Sequence, residues 1–278
     1  FLRVFDGEMW YYASTCDVDN VQKELDALYA SAHENKQIGA HPLVKKFQVN
    51  RDSVKLYEKN SLRDVPLKTK IDRLDGIRKR IAADPYVKFL QAVYSDRHSV
   101  WQFYSSLGAD ISYDVQYCKA IAAANMAEGE KTHSTHIVKA AVTFDELTFS
   151  DQAIADFLKE NDDFLLHAEA VEPGEYPVIL SPEAGGIFAH ESFGHKSEAD
   201  FMLGDETMKK EWQLGKTVGS PLLSIYDTGL QPGTGYVPYD DEGTRATKTY
   251  LIKNGVLTGR LHSAETAAEL GEATTGNA

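Results

Sequence analysis

The chain opens with a hydrophobic pattern typical of a β-hairpin. Leu2–Phe5 and Glu8–Tyr12 are two short runs rich in apolar and aromatic residues, and Asp6 and Gly7 separate them. Asp-Gly between such runs is a strong turn signal, because glycine adopts positive φ without strain. Two aspartates that could cap a helix follow, and hydrophobic residues then recur every three or four positions. We therefore predict a hairpin and then an amphipathic helix.

A second helix is predicted from about Pro66 to Ala83, where isoleucine and leucine residues line one side. It should end before Pro85, because the residue that precedes a proline disfavours helical geometry. From Leu90 to about Glu146 the hydrophobic positions alternate with period two, which predicts an antiparallel meander. Turn residues interrupt this stretch at Asp96-Arg97, Gly108-Ala109 and Glu128-Gly129-Glu130.

A short helix from Ser150 to about Lys159, capped by Ser150 or Asp151, completes the first part of the chain. Residues 1–172 are therefore expected to form an α+β domain, with helices packed on one face of a mainly antiparallel sheet. Glu172–Glu175 contains proline and glycine and is the best candidate for a linker. Residues 173–278 then form the second predicted domain.

The second domain is predicted to be rich in strands and to carry a single helix. Tyr176–Leu180 is expected to be a short buried strand, and a helix should begin at Ser181-Pro182, where a capping residue precedes a proline. Leu222–Tyr226 is a further predicted strand. Tyr250–Leu257 is a predicted hairpin, since its central Asn-Gly suits a type I′ turn.

Composition is that of an ordinary globular protein and argues against nucleic-acid binding. The chain has 278 residues, of which 42% are hydrophobic and 26% charged. Its 29 basic side chains against 42 acidic ones give a net charge of −13, and no basic cluster offsets it. Phosphate recognition needs a basic face, so we expect no nucleic-acid partner.

Cysteine content and hydropathy favour the cytoplasm. Cys16 and Cys118 are too few and too far apart for a disulfide framework or a cysteine-rich zinc module. No apolar run approaches the ~18 residues of a membrane span, so we expect no membrane partner. The chain starts at Phe1 inside a predicted strand and stops at Ala278 without a closing element. We expect it to be part of a longer protein.

The strongest candidate for chemistry is the run that contains His190, Glu191 and His195. A glutamate directly after the first of two histidines resembles the zinc-protease helix, in which both imidazoles bind the metal and the glutamate accepts a proton from the bound water. Here the two histidines are five positions apart instead of four. On a regular α-helix, at ~100° per residue, such positions point ~140° apart and cannot share one ion.

A local π-turn would solve this problem. With roughly 4.4 residues per turn it brings the two imidazoles within ~50° of each other. Gly194, which lacks a Cβ, is the position where we expect the widening. Glu198, three residues after His195, lies on the same face and could be a metal ligand or accept a hydrogen bond from an imidazole. The motif alone leaves open a second interpretation, in which both histidines are structural and satisfied by neighbours.

Other polar groups carry weaker signals. His133 and His136 are three apart in a predicted strand and should face different ways, and the remaining histidines are isolated. Pro232–Gly235 is too short for a phosphate loop and is expected to be a turn. Asp240-Asp241-Glu242 is expected to be a solvated acidic loop.

Taken together, the motifs of residues 176–278 resemble the TldD/PmbA family, once called modulators of DNA gyrase and later understood as metallopeptidases. The resemblance rests on Val178–Gly186, His190-Glu191, His195, Glu198–Asp200, Asp240–Gly243, Leu251–Leu257 and Thr275–Asn277. The N-terminal part matches more loosely, in the order and character of its elements. The match at Asp240–Gly243 implies, as an alternative to a solvated loop, a role near substrate or partner.

The resemblance implies that His190 and His195 are zinc ligands and Glu191 the general base, as in the catalytic, TldD-like branch. It implies a third ligand, a cysteine far towards the C-terminus, and neither Cys16 nor Cys118 matches it. We therefore expect zinc in the full-length protein, and expect this chain by itself to lack the ion and to be inactive. The resemblance also implies a dimer, either of one chain or with a related subunit that lacks the motif.

Two hypotheses follow from the sequence. The first is a zinc-dependent peptidase subunit that cleaves unfolded or extended peptides, with substrate-contacting residues unknown. The second is a non-catalytic dimerisation or assembly module whose histidine-bearing helix is structural. A metal bound by His190 and His195 would separate the two.

Overall fold

A computed structural model describes all residues, 1–278, and begins with the expected hairpin. Strands β1 (Leu2–Phe5) and β2 (Trp10–Ala13) pair antiparallel, and helix α1 (Val21–Ser31) contacts both. The turn is a four-residue loop organised by Asp6, whose carboxylate accepts hydrogen bonds from the backbone N–H groups of Glu8 and Met9. The two predicted capping residues, Asp17 and Asp19, do not cap the helix, and the Asp17 carboxylate accepts a hydrogen bond from the Asn20 side chain instead.

The central sheet is the predicted meander, built from longer strands than expected. They are β4 (Val87–Tyr104), β5 (Asp110–Glu128) and β6 (Lys131–Ala141), with β5 in the middle. The turn predicted at Asp96-Arg97 is wrong, since β4 runs straight through and these residues pair with Cys118 and Tyr117. Continuous pairing with β5 outweighs the local turn preference of two polar residues.

One strand, parallel to β5, was not predicted from the sequence. β3 (Arg51–Val54) pairs with residues 110–113 of β5, on the same edge where β6 pairs with residues 118–128. Its sequence, Arg-Asp-Ser-Val, has no alternation of hydrophobic positions. Only the pairing with β5 makes this segment a strand.

Two helices cover one face of the sheet. They are α2 (Leu67–Ile81), as predicted, and α3 (Asp151–His167), which is capped by Ser150 and extends beyond the expected end. The core between them includes Ile77, Ile81, Cys118 and Ile154. The α+β class is confirmed, since helices and a mainly antiparallel sheet form separate layers. No helix of the structure is both long and apolar enough to cross a membrane.

The buried strand predicted at 176–180 is wrong. These residues form neither helix nor strand, and Ile179 is fully exposed. A strand requires a neighbour to accept its hydrogen bonds, and no segment of the chain pairs with this one.

The remainder of residues 173–278 contains short elements. Helix α4 (Pro182–Ala189) begins at the predicted cap, Ser181. Helices α5 (Glu206–Glu211) and α6 (Ala264–Leu270) add to the single helix that was expected. Strands β7 (Ile225–Asp227), β8 (Thr249–Lys253) and β9 (Val256–Leu257) form a small antiparallel sheet. Asn254 and Gly255 both have positive φ, 52° and 80°, as the predicted type I′ turn requires.

Candidate functional site

The helix that carries the two histidines, Pro182–Ser197, is called the motif helix here. It widens where the spacing of the histidines requires it. After α4, residues His190–Gly194 form a π-turn, in which the N–H of His195 donates to the carbonyl of His190. One short 3₁₀ turn, His195–Ser197, follows. The predicted π-turn is confirmed, and the helix ends at Ser197. Glu198 is already extended, with ψ of 120°.

The π-turn brings three potential metal-binding side chains together. One ligand atom each of His190, Glu191 and His195 lies within 4.8 Å of the other two. The centres of the two imidazole rings are 4.5 Å apart, so both rings lie on one side of the turn. Glu191 Oε2 is 3.9 Å from His195 Nε2. All three side chains are exposed, so a substrate could reach them without a rearrangement of the fold.

Gly194 is not the steric cause of the widening. Its φ and ψ are −58° and −61°, which any L residue adopts. A Cβ at this position would lie 3.7 Å from the carbonyl oxygen of Ala189, an ordinary contact. The π-turn therefore lies where it was predicted, at Gly194, but its geometry does not depend on the conformational freedom of glycine.

Buried contacts hold the end of the motif helix in place. Ser197 is fully buried; its hydroxyl donates to the carbonyl of Phe193 at 2.8 Å and accepts from the indole N–H of Trp212 at 3.2 Å. The backbone on either side of Glu198 is bound to Leu261: Leu261 N–H donates to Ser197 O, and Ala199 N–H donates to Leu261 O. The anchoring roles of Ser197, Trp212 and Leu261 were not predicted from the sequence, since these residues contact partners that are distant in the chain.

The donor set suits zinc. Imidazoles are common zinc ligands in hydrolases, and the two rings are close enough for small side-chain rotations to bring both around one ion, with the Glu191 carboxylate beside it. Neither cysteine belongs to the cluster, and Cys118 lies in the core of the central sheet. Burial raises the pKa of the Cys118 thiol to about 11, which also disfavours the thiolate that binds metals.

Two other histidines, His133 and His262, contact neighbouring side chains. His133 contacts Asn161 Oδ1 at 2.8 Å and stacks on Phe164, and His136 is exposed. His262 is buried between Thr266 and Glu272, and its burial lowers the pKa of the imidazole. These contacts agree with the interpretation that they are not ligands.

Two of the three carboxylates of the acidic loop are not solvated, while Asp241 is exposed. Asp240 and Glu242 are buried, and burial raises the pKa of both carboxyl groups. Asp240 accepts from the N–H groups of Glu242 and Thr244, while Glu242 accepts from Ala264 N–H at 2.7 Å and lies 3.5 Å from Arg3. The loop is therefore a structural junction, because its charges are used to bind other parts of the chain.

Two protein-family models together match most of the chain. Residues 60–172 match the model of the PmbA/TldA metallopeptidase central domain, and residues 173–278 match that of the PmbA/TldA metallopeptidase C-terminal domain.

Named relatives are metalloproteases. One from Methanocaldococcus jannaschii is 29% identical over 282 residues, which cover 99% of this chain and 62% of the relative. One from Synechocystis sp. is 48% identical over 109 residues, or 39% of this chain and 24% of the relative. A zinc metalloprotease TldD homolog of Saccharolobus solfataricus is 40% identical over 115 residues, which cover 41% of this chain and 25% of the relative. The chain thus spans less than two thirds of each of these relatives.

Solved structures share the fold. A Thermotoga maritima protein, described as a candidate modulator of a DNA gyrase, has a TM-score of 0.75 at 22% identity, with 99% of this chain and 67% of that chain covered. TldE from Thermococcus kodakarensis has a TM-score of 0.60 at 15% identity, with 96% of this chain and 60% of that chain covered.

Proposed function

The chain belongs to the TldD/PmbA metallopeptidase family, and from this premise we propose that it is a zinc-dependent peptidase subunit. The observation that carries the proposal is the π-turn that gathers His190, Glu191 and His195 within 4.8 Å. A regular helix would separate the two histidines and make the same sequence useless for one ion. The zinc metalloprotease among the relatives supports the choice of metal.

In this proposal each motif residue has one task. His190 and His195 would hold the ion, which when bound would polarise the scissile carbonyl and acidify a water molecule. Glu191 would accept a proton from the attacking water and pass it to the leaving amine, as a general base and then a general acid. Its carboxylate is exposed and within 4 Å of a ligand imidazole, so it can reach a water between the ion and the substrate.

Substrate and assembly are part of the same proposal. An unfolded or extended peptide is the substrate class, because the cluster is exposed on the surface, where an extended segment can approach it. The partner is a second subunit, either another copy or a related chain that lacks the motif. Peptidase assays should therefore be made with the chain alone and in its assembled form.

Replacing Glu191 by glutamine tests the proposal. In an assembly that cleaves an unfolded protein, Glu191→Gln should lower kcat by about 10²–10⁴-fold, the usual contribution of a general base, while zinc content stays unchanged. Glu211→Gln is the matched control, since Glu211 lies on the exposed side of α5 and its carboxylate makes no hydrogen bond. Full turnover by Glu191→Gln would reject the general-base role. A wild-type protein that binds no zinc would favour the assembly-module alternative.

A further inference from the structure

Glu198 stands where the motif helix stops. Its φ and ψ of −67° and 120° break the helix three residues after His195, and the flanking hydrogen bonds to Leu261 fix its backbone as an isolated parallel bridge. Ser197, immediately before it, is fully buried. The position of Glu198 relative to His195 is therefore set by the packed body of the protein and not by a mobile loop.

The side chain of Glu198 turns back onto the motif. Its Oε1 lies 2.7 Å from His195 Nδ1, the distance of a charge-assisted hydrogen bond. A carboxylate can only accept, so Nδ1 must carry the proton in this contact. The lone pair of the neutral ring is then on Nε2, the nitrogen that lies 3.9 Å from Glu191.

The two motif histidines differ in this respect. His190 makes no side-chain hydrogen bond in the structure, whereas His195 is held at one nitrogen and free at the other. Building on the function proposed above, we propose that Glu198 is a positioning residue for His195. It selects the Nδ1–H tautomer and fixes the ring, so that Nε2 is presented to the metal and Glu198 itself is not a ligand.

The tautomer can be measured without any metal. In ¹⁵N-histidine-labelled wild-type chain at mildly alkaline pH, the imidazole resonances of His195 should show a protonated Nδ1 and an unprotonated Nε2. Glu198→Ala should shift His195 towards the Nε2–H form that free imidazole side chains prefer. Glu211→Gln, which changes the same charge at an exposed position, should leave the spectrum unchanged. A wild-type His195 protonated mainly at Nε2 would overturn the proposal.

Zinc affinity gives the second measurement. In the full-length protein, titration against a chromophoric chelator should show that Glu198→Gln and Glu198→Ala each weaken zinc binding by about 10–100-fold, the usual effect of losing a partner behind a ligand histidine. Glu198→Asp, which keeps a carboxylate, should lose less zinc affinity. Glu211→Gln should bind zinc as tightly as wild type. Unchanged affinity in both Glu198→Gln and Glu198→Ala would overturn the proposal.

Cobalt substitution distinguishes a positioning residue from a ligand. At saturating Co²⁺, the visible absorption spectrum of Glu198→Gln should keep the wild-type shape, because the groups around the ion are the same. A changed spectrum would show that Glu198 binds the ion directly and would contradict the proposal. If the full-length wild-type protein binds neither Zn²⁺ nor Co²⁺, the proposed peptidase function fails, and the tautomer measurement still decides the role of Glu198.

Discussion

Individual polar side chains in the C-terminal half are buried with specific partners. His262 contacts Thr266 through Nδ1 at 3.1 Å and Glu272 through Nε2 at 3.0 Å, and Arg260 also binds Glu272. Burial lowers the pKa of His262, while the hydrogen bond to Glu272 raises it, and burial is the larger effect. The network is therefore sensitive to protonation of one imidazole.

Acidification should destabilise the protein through His262. The unfolded chain binds the proton near pH ~6.5 and the folded chain only at lower pH, so stability is present above this range and is lost as pH falls. One such group contributes a slope of at most about 1.4 kcal/mol per pH unit. Urea unfolding between pH ~8 and ~5 should therefore be less pH-dependent in His262→Gln than in wild type.

His136→Gln serves as the control for this measurement, because His136 is exposed on β6 and makes no side-chain hydrogen bond. It should keep the wild-type pH dependence. Equal slopes in wild type and His262→Gln would show that the proton uptake comes from another group.

At the scale of elements, the motif helix combines α, π and 3₁₀ turns over Pro182–Ser197, and its C-terminal end is anchored by buried contacts. The π-turn is followed by a 3₁₀ turn whose last residue, Ser197, is buried against Phe193 and Trp212. Trp212, directly after α5, packs in a cluster with Met202, Ile252 and Leu257. The exposed end of the site is thus attached to the small core of the C-terminal half.

Removing the Ser197 hydroxyl should loosen this attachment. Ser197→Ala leaves the buried Trp212 N–H without its acceptor, which costs about 1–3 kcal/mol in the free energy of unfolding. Ser192→Ala is the matched control, because Ser192 lies in the same π-turn and its hydroxyl makes no hydrogen bond. Urea titration followed by tryptophan fluorescence measures both variants. A Ser197→Ala variant as stable as Ser192→Ala would contradict the anchoring role.

At the scale of the whole molecule, residues 239–244 connect the two halves. Tyr239 donates to Asp52 of β3 at 2.6 Å, and the carbonyl of Gly243 accepts from Asn50 at 2.8 Å. Gly243 has a φ of +76°, and a Cβ there would lie 2.5 Å from the ring of Phe103. Close contact between this loop and the central sheet therefore requires glycine.

The N-terminal hairpin joins the same junction through Arg3. Its guanidinium lies 3.5 Å from the buried Glu242 carboxylate and stacks over Trp10. Arg3→Ala should lower the free energy of unfolding by about 1–3 kcal/mol, because a buried carboxylate loses its cation. Arg3→Lys, which keeps the charge without the planar group, should lower the free energy of unfolding by less.

Arg97→Ala is the control for the junction, since Arg97 is exposed and its side chain binds only the neighbouring Ser99. Its urea midpoint should stay near that of wild type. If Arg3→Ala behaves in the same way, the ion pair with Glu242 contributes nothing to the joining of the halves.

Local signals in the sequence determined several elements and the shape of the motif. The hairpin at Asp6-Gly7, the Ser181 cap of α4 and the Asn254-Gly255 turn depend on neighbours within a few residues, so they were predictable. The π-turn was predictable for a different reason. Its histidines can meet on one side only if the helix widens between them.

Tertiary structure decided the features whose partners are distant in the chain. β3 is a strand only because β5 lies beside it, while Tyr176–Leu180, apolar enough for a strand, has no neighbour to pair with. Glu242 is buried because it binds Arg3 and Ala264, which lie far away in the sequence. Hydrogen bonds and burial need both partners in place, and residue patterns specify only one partner at a time.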